Sequence, residues 1–282
     1  MPAANPFVTT EWLAQHLSAP DLVILDASWH LPTAGRDARA EYLAAHIPGA
    51  VHFDIDQISD RKSNLPHMLP DPVAFSSAMR KLGIGDGQRI VVYDSYGLFS
   101  APRVWWMLRA FGVADVAVLS GGLPKWQAEG RAVEDGETRR SPRHFTARLD
   151  HGAVADLSEI KHALEAGSAQ VVDARSAARF RGEEPEPRPG LRSGHIPGSR
   201  NLPWTDIVEN GVLKSADAIR AAFAASGVDI NKPIMTTCGS GVSAAILTIA
   251  LNSIGVRPTG LYDGSWAEWG ARPDLPTAMG DA

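Results

Sequence analysis

Ile234-Met235-Thr236-Thr237-Cys238-Gly239-Ser240-Gly241-Val242-Ser243-Ala244 is an apolar run that stops at a cysteine, passes through small residues and opens into a stretch rich in Ala, Ile and Leu. A short apolar segment bounded by turn formers reads as a buried strand, and the run that follows is long enough for a helix. The pattern predicts a strand over 233–237 and a helix over 242–254. Cys238 then stands at the carboxyl end of a strand, in the loop entering a helix, where open α/β sheets receive ligands. Gly239 and Gly241 allow the backbone to curl so that successive N–H groups point inward, and the positive end of the next helix adds to their field. Such a loop favours an anion at its centre, for which a thiolate or a persulfide qualifies.

Working outward, the same pattern occurs once before. Ile90-Val91-Val92-Tyr93-Asp94 precedes Ser95-Tyr96-Gly97-Leu98-Phe99-Ser100, with Asp94 at the place of Cys238 and a loop one residue longer. Val23-Ile24-Leu25-Asp26 is echoed by Val171-Val172-Asp173, and His46-Ile47-Pro48-Gly49 by His195-Ile196-Pro197-Gly198. Gly121-Gly122-Leu123-Pro124-Lys125-Trp126 matches Asp263-Gly264-Ser265-Trp266-Ala267-Glu268-Trp269 in its glycine turn and closing Trp. A period near 144 residues means duplicated domains, since solenoid repeats are much shorter. The seam at Glu134–Pro142 is charged, contains Gly and Pro, and lacks apolar periodicity. The reading is therefore a first domain over 1–133, a linker over 134–150 and a second domain over 151–282.

Each half alternates short apolar runs with amphipathic segments, which points to an α/β fold with a mostly parallel sheet flanked by helices in each domain. Asp156 with Glu159 forms a helix-start signal, and Asp71-Pro72 opens a helix with Pro at its first position. Strands are expected at 170–173, near 200–202 and at 260–262, and a helix at about 215–225.

The 282 residues are 44% hydrophobic and 21% charged with a net charge of −5. This fits a globular protein without a basic field for nucleic acid or an anionic membrane. Apolar stretches such as Ile90–Tyr93 and Ala244–Leu251 are too short to span a bilayer. Met1-Pro2-Ala3-Ala4-Asn5-Pro6 has no basic patch followed by an apolar run, so a cytoplasmic location is expected. The single cysteine excludes an internal disulfide and a cysteine-rich metal site. A lone Cys is ordinarily a small buried hydrophobe, and only the loop around Cys238 argues otherwise. His46 and His195 recur in both halves, including the one without Cys, and are read as structural hydrogen-bonding residues.

Cys238-Gly239-Ser240-Gly241-Val242-Ser243-Ala244 resembles the active-site loop of the mercaptopyruvate branch of the rhodanese superfamily, which reads Cys-Gly-Ser/Thr-Gly-Val-Thr-Ala. Ser243 departs from the usual Thr but keeps a hydroxyl. The resemblance covers both repeats and implies two tandem rhodanese-like domains, the first catalytically silent because the Asp94 carboxylate cannot carry sulfane sulfur. It implies a sulfurtransferase that takes sulfur from 3-mercaptopyruvate onto Cys238, releases pyruvate, and passes the sulfur to a thiol acceptor such as thioredoxin or a small thiol, or to cyanide. No metal and no organic cofactor is implied. In Arg179-Phe180-Arg181-Gly182-Glu183-Glu184-Pro185-Glu186-Pro187-Arg188 the first and last arginines match the family's substrate-binding pair, and Arg181 carries no role. Gly239, Gly241, Val242 and Ser243 complete the binding loop. Asp56, His67 and Ser240 match a hydrogen-bonded relay, with Asp56 fixing the His67 tautomer.

Three rival readings stand beside this one. A thiosulfate sulfurtransferase is the first, although related enzymes that use thiosulfate carry Arg and Lys where Gly239 and Ser240 stand. A cysteine phosphatase or arsenate reductase on a related scaffold needs Arg six residues after the nucleophile, and Ala244 occupies that place. A module with a dead site, binding sulfur without turnover, is the non-enzymatic reading.

Overall fold

The computed structural model describes residues 5–282; Met1–Ala4, where the leader reading begins, lie outside the described residues. The first half contains β1 (Phe7–Val8), α1 (Thr10–His16), β2 (Leu22–Asp26), α2 (Ala38–Ala44), β3 (Ala50–His52), α3 (Pro72–Lys81), β4 (Arg89–Tyr93), α4 (Ala101–Ala110), β5 (Val116–Leu119) and α5 (Gly122–Ala128). The second contains β6 (Val154–Ala155), α6 (Leu157–Ala166), β7 (Gln170–Asp173), α7 (Ala177–Arg181), β8 (Arg200–Asn201), β9 (Val208–Glu209), β10 (Val212–Leu213), α8 (Ala216–Ala225), β11 (Ile234–Thr237), α9 (Ala244–Ser253), β12 (Gly260–Tyr262) and α10 (Ser265–Trp269).

The two five-stranded sheets run β1-β5-β4-β2-β3 and β6-β12-β11-β7-β8, the same order twice, and every pairing within them is parallel. β4 and β11 are central, so Asp94 and Cys238 both emerge from the middle of a sheet. The signals that set the helices are local. Asp71 accepts from the Val73 and Ala74 amides, and Asp156 and Glu159 form a reciprocal capping box, satisfying amide donors that a helix start otherwise leaves unpaired. The predicted helix over 242–254 begins two residues late, because Gly241 sits at φ 78° and 242–243 form a turn.

α4 and α9 follow the two equivalent loops and pack together at the centre of the molecule. α9 is buried on every side from Ala244 to Leu251, and α4 buries all but Arg109. A helix apolar all round belongs to an interior. One continuous apolar cluster joins Val104 and Leu108 to Ile246, Leu247 and Ala250, so the halves share a core. The segment expected to be a linker holds no helix or strand before His151, yet it is tied down. Glu134 pairs with His46, and Phe145 is buried against Phe75.

Each half also covers the other's loop. The β9–β10 hairpin, which the sequence reading did not foresee, turns at Asn210-Gly211 directly on Gly97 of the Asp94 loop. A Cβ on Gly97 would lie 2.7 Å from the Gly211 Cα. In return, the segment before α3 brings His67 onto Ser240 of the Cys238 loop. Gly97 has φ 98°, so Gly97→Ala meets both backbone strain and a backbone wall. We expect it to cost about 1–3 kcal/mol in urea denaturation. Gly87→Ala, with φ 77° but open space, should cost only about 1 kcal/mol.

Candidate active site

The Cys238 loop is organised by where its carbonyls go. The Cys238 oxygen accepts from the Trp266 amide at 2.9 Å and the Gly239 oxygen from the Ala267 amide at 2.8 Å. The Ser240 carbonyl faces His67 Nδ1 at 3.3 Å, and the Gly241 carbonyl accepts from Arg103 Nη1 at 3.4 Å. Val242 and Ser243 accept from the first turn of α9. Every carbonyl from 238 to 243 is thus engaged. The amides of Gly239 to Ser243, by contrast, donate to no protein oxygen among the described residues. Carbonyls outward and amides unspent is the geometry of an anion nest.

The first half contains an internal precedent. Asp94 is fully buried, and its carboxylate accepts from the amides of Tyr96 at 2.9 Å, Phe99 at 2.7 Å and Ala101 at 2.8 Å. Burial pushes its carboxyl above the ordinary carboxylate value, against the pull of these three amides. The equivalent loop therefore holds an anionic group tethered by its own chain.

Cys238 is 1% exposed. The two glycines after it have different tasks, which revises the expectation that both curl the chain. Gly241 supplies the left-handed turn, and a Cβ there would strike Arg103 Nη1 at 2.6 Å. Gly239 is not left-handed; its missing side chain admits Arg179, whose Nη2 lies 3.0 Å from where a Cβ would be. Val242 is buried and Ser243 half-buried, with no cap bond from the Ser243 side chain.

Arg179 lies within α7 and is held by Glu186, with Nε 3.2 Å from Oε1 and a second, closer contact through Nη2. Glu186 is in turn shared with the buried Arg175 at 2.7 Å, so the fork is fixed before any ligand arrives. Arg188 donates to Ser240 Oγ at 3.1 Å. Burial weakens the hold of Arg188 on its proton, while the charges of Cys238 and Asp56 strengthen it. Arg181 pairs with Glu183 on the surface.

Of the expected relay, Asp56 and His67 meet, with Nε2 to Oδ1 at 2.9 Å. The hydrogen bond from His67 holds the Asp56 carboxyl below its ordinary value, and the indole N–H of Trp29, at 3.0 Å, adds to this. Ser240 is the departure. His67 faces its backbone carbonyl, and its hydroxyl turns to Arg188 instead. The ring therefore lies between a carboxylate of its own half and a backbone carbonyl of the other. His46 and His195 serve their own halves: each bonds a backbone carbonyl through Nδ1, at 2.8 and 2.9 Å, and stacks on Tyr42 or Phe180.

No sequence motif marks Arg103. It is fully buried on α4 of the first half, pairs with Asp263 of the second at 2.7 Å, lies over Trp106, and donates to the His67 and Gly241 carbonyls. Asp263 also accepts from the Leu69 amide at 2.7 Å. One ion pair thereby fixes the His67 segment, at φ 62°, against the Cys238 loop.

Among the described residues no helix is long and apolar enough to cross a membrane. A family profile described as "Rhodanese-like domain" matches residues 9–129 and 156–272. The chain is 49% identical over 271 residues to the 3-mercaptopyruvate sulfurtransferase of Escherichia coli K12, covering 96% of each. It is 46% identical over 276 residues to the human 3-mercaptopyruvate sulfurtransferase, covering 95% of this chain and 93% of that one. A crystal structure of SseA from Escherichia coli, described as a 3-mercaptopyruvate sulfotransferase with the rhodanese fold, superposes with a TM-score of 0.87 at 46% identity, over 93% of this chain and 99% of that one.

Arg103→Met should lower stability by about 3–5 kcal/mol in urea denaturation, because it strands the buried Asp263 charge. Adding Asp263→Asn should recover part of the loss. The Asp56 contribution has a definite sign. Its folded-state value lies below the ordinary 3.8, so the stability it adds is complete above that pH and disappears as pH falls through the lower folded value. Denaturation between pH 2 and 5 should show a shallower acid limb in Asp56→Asn.

Proposed function

The chain belongs to the rhodanese family, and on that premise we propose that it is a 3-mercaptopyruvate sulfurtransferase in which Cys238 carries the sulfur. The observation that carries this reading is the loop around a lone cysteine whose amides have no acceptor among the described residues, flanked by two arginines. A field of that shape suits the anion that a transferred sulfur becomes, a persulfide, and the negative charge that develops as it forms.

The proposed cycle has two displacements. The Cys238 thiolate attacks the sulfur of 3-mercaptopyruvate. The S–S bond forms, the C–S bond breaks, and its electron pair passes into the enolate of pyruvate. The proton that the donor's thiol brought in ends on the enolate carbon, giving pyruvate and a Cys238 persulfide anion. In the second step an acceptor thiolate, or cyanide, attacks the outer sulfur and restores the Cys238 thiolate. Thioredoxin or a small thiol suits the second step, since nothing more than an accessible thiolate is required.

Arg188 and Arg179 are assigned to the substrate carboxylate and carbonyl, where forked donors match planar oxygen pairs. Arg188 fixes the Ser240 oxygen as an acceptor, which leaves the Ser240 proton free to be given to the nascent enolate. His67, held by Asp56, supports the Ser240 peptide from outside the loop. Gly239, Gly241, Val242 and Ser243 supply the amides that hold the sulfur anion.

The loop presents no cationic side chain of its own, which disfavours the thiosulfate dianion as donor. We expect kcat/KM with 3-mercaptopyruvate to exceed that with thiosulfate by about tenfold or more. Intact mass after treatment with 3-mercaptopyruvate should rise by about 32 Da, one sulfur atom, in the wild type and not in Cys238→Ser. An unshifted wild-type mass, or a preference for thiosulfate, overturns the assignment.

A further inference from the structure

The turn Asp263-Gly264-Ser265-Trp266 matches Gly121-Gly122-Leu123 of the first half, and the match extends to the backbone. In the first half the Leu123 amide bonds the Asp94 carbonyl at 3.0 Å, and in the second the Trp266 amide bonds the Cys238 carbonyl at 2.9 Å. Gly122 has φ 52° and Ser265 has φ 49°. Glycine adopts this left-handed conformation freely, whereas a serine there is strained. At Gly122 a Cβ would meet the Asp94 carbonyl oxygen at 2.4 Å. The half without the nucleophile thus uses glycine at this turn, and the half with it holds a strained, fully buried serine directly beneath Cys238.

What the strain accompanies is visible in the hydroxyl. Ser265 Oγ donates to the Tyr262 carbonyl at 2.7 Å and accepts from the Thr237 hydroxyl at 3.4 Å and the Cys238 amide at 3.3 Å. Its hydrogen-bonding capacity is used in full. The Cys238 amide is therefore turned out of the loop, and the row of unspent amides begins at Gly239. Strained residues persist where surrounding structure over-determines them, and they concentrate at functional sites. The α10 amides that hold the Cys238 and Gly239 carbonyls come from the two residues after Ser265, so one turn grips the two peptide groups that flank the Cys238 Cα.

We propose that Ser265 is a positioning residue for sulfur transfer: its hydroxyl, held in a left-handed turn, orients the Cys238 peptide so that the sulfur is presented to the amides of Gly239 to Ser243. This rests on the assignment of Cys238 as the sulfur carrier. The hydroxyl does not touch substrate and acts through Cys238 alone.

Two variants separate positioning from simple support of the fold. Ser265→Ala removes the hydroxyl and keeps the strain, while Ser265→Gly removes both and reproduces the turn of the first half. The readouts are the melting temperature, kcat and KM for pyruvate release from 3-mercaptopyruvate, and the rate of Cys238 alkylation by iodoacetamide at fixed pH. Ser265→Gly should melt a few degrees above Ser265→Ala. Both should lose kcat alike, by about tenfold or more, with little change in KM. Both should also alkylate more slowly than the wild type. Wild-type turnover in Ser265→Gly, or losses of kcat that follow the melting temperatures, would overturn the proposal. If the wild type itself releases no pyruvate, the sulfurtransferase assignment fails, and the alkylation rates still decide the role of Ser265.

Discussion

Five consecutive backbone N–H groups, from Gly239 to Ser243, without an acceptor among the described residues are the constraint around which the rest of the structure is arranged. Buried amides are almost always paired, and leaving several open is costly unless an anion answers them. The open set is stable only because each carbonyl of the same stretch is held from outside, by Trp266, Ala267, His67, Arg103 and the first turn of α9. Those grips come from both halves of the chain. The loop is consequently a product of the whole molecule rather than of its own eleven-residue stretch.

Much of this was legible in the sequence, for reasons that are local. The strand at 170–173 and the strand at 260–262 appear at their expected positions, because short apolar runs between turn formers leave little choice. The capping box at Asp156 needs only four residues to be recognised. The duplication could be read because the two halves kept the same strand order, and hence the same apolar rhythm. Cys238 could be placed because a strand, two glycines and a helix leave it one position.

What escaped notice depends on contacts between distant residues. Arg103 meets Gly241 across 138 positions and His67 meets Ser240 across 173, and no periodicity encodes such a meeting. Arg103 lies in an apolar helix and looks like the solvated end of one face. Nothing in the local sequence marks Trp29, whose indole N–H donates to Asp56 across 27 positions. The orientation of the Ser240 hydroxyl toward Arg188 is a rotamer choice, set by which donor is nearest. Gly239 and Gly241 look interchangeable in sequence, and only the position of Arg179 and the sign of φ tell them apart.

The mutual covering of the two loops carries a last implication. The hairpin of the second half seals the Asp94 loop at Gly97, while the first half lays His67 and Arg103 over the Cys238 loop. Asp94 fills its own loop with a carboxyl group tethered to the chain and bonded to three amides, so that loop needs no ligand to complete it and can serve as a fixed abutment. Each half is thereby structurally indispensable to the other: whatever chemistry each loop supports, deleting either half would unroof the loop of its neighbour.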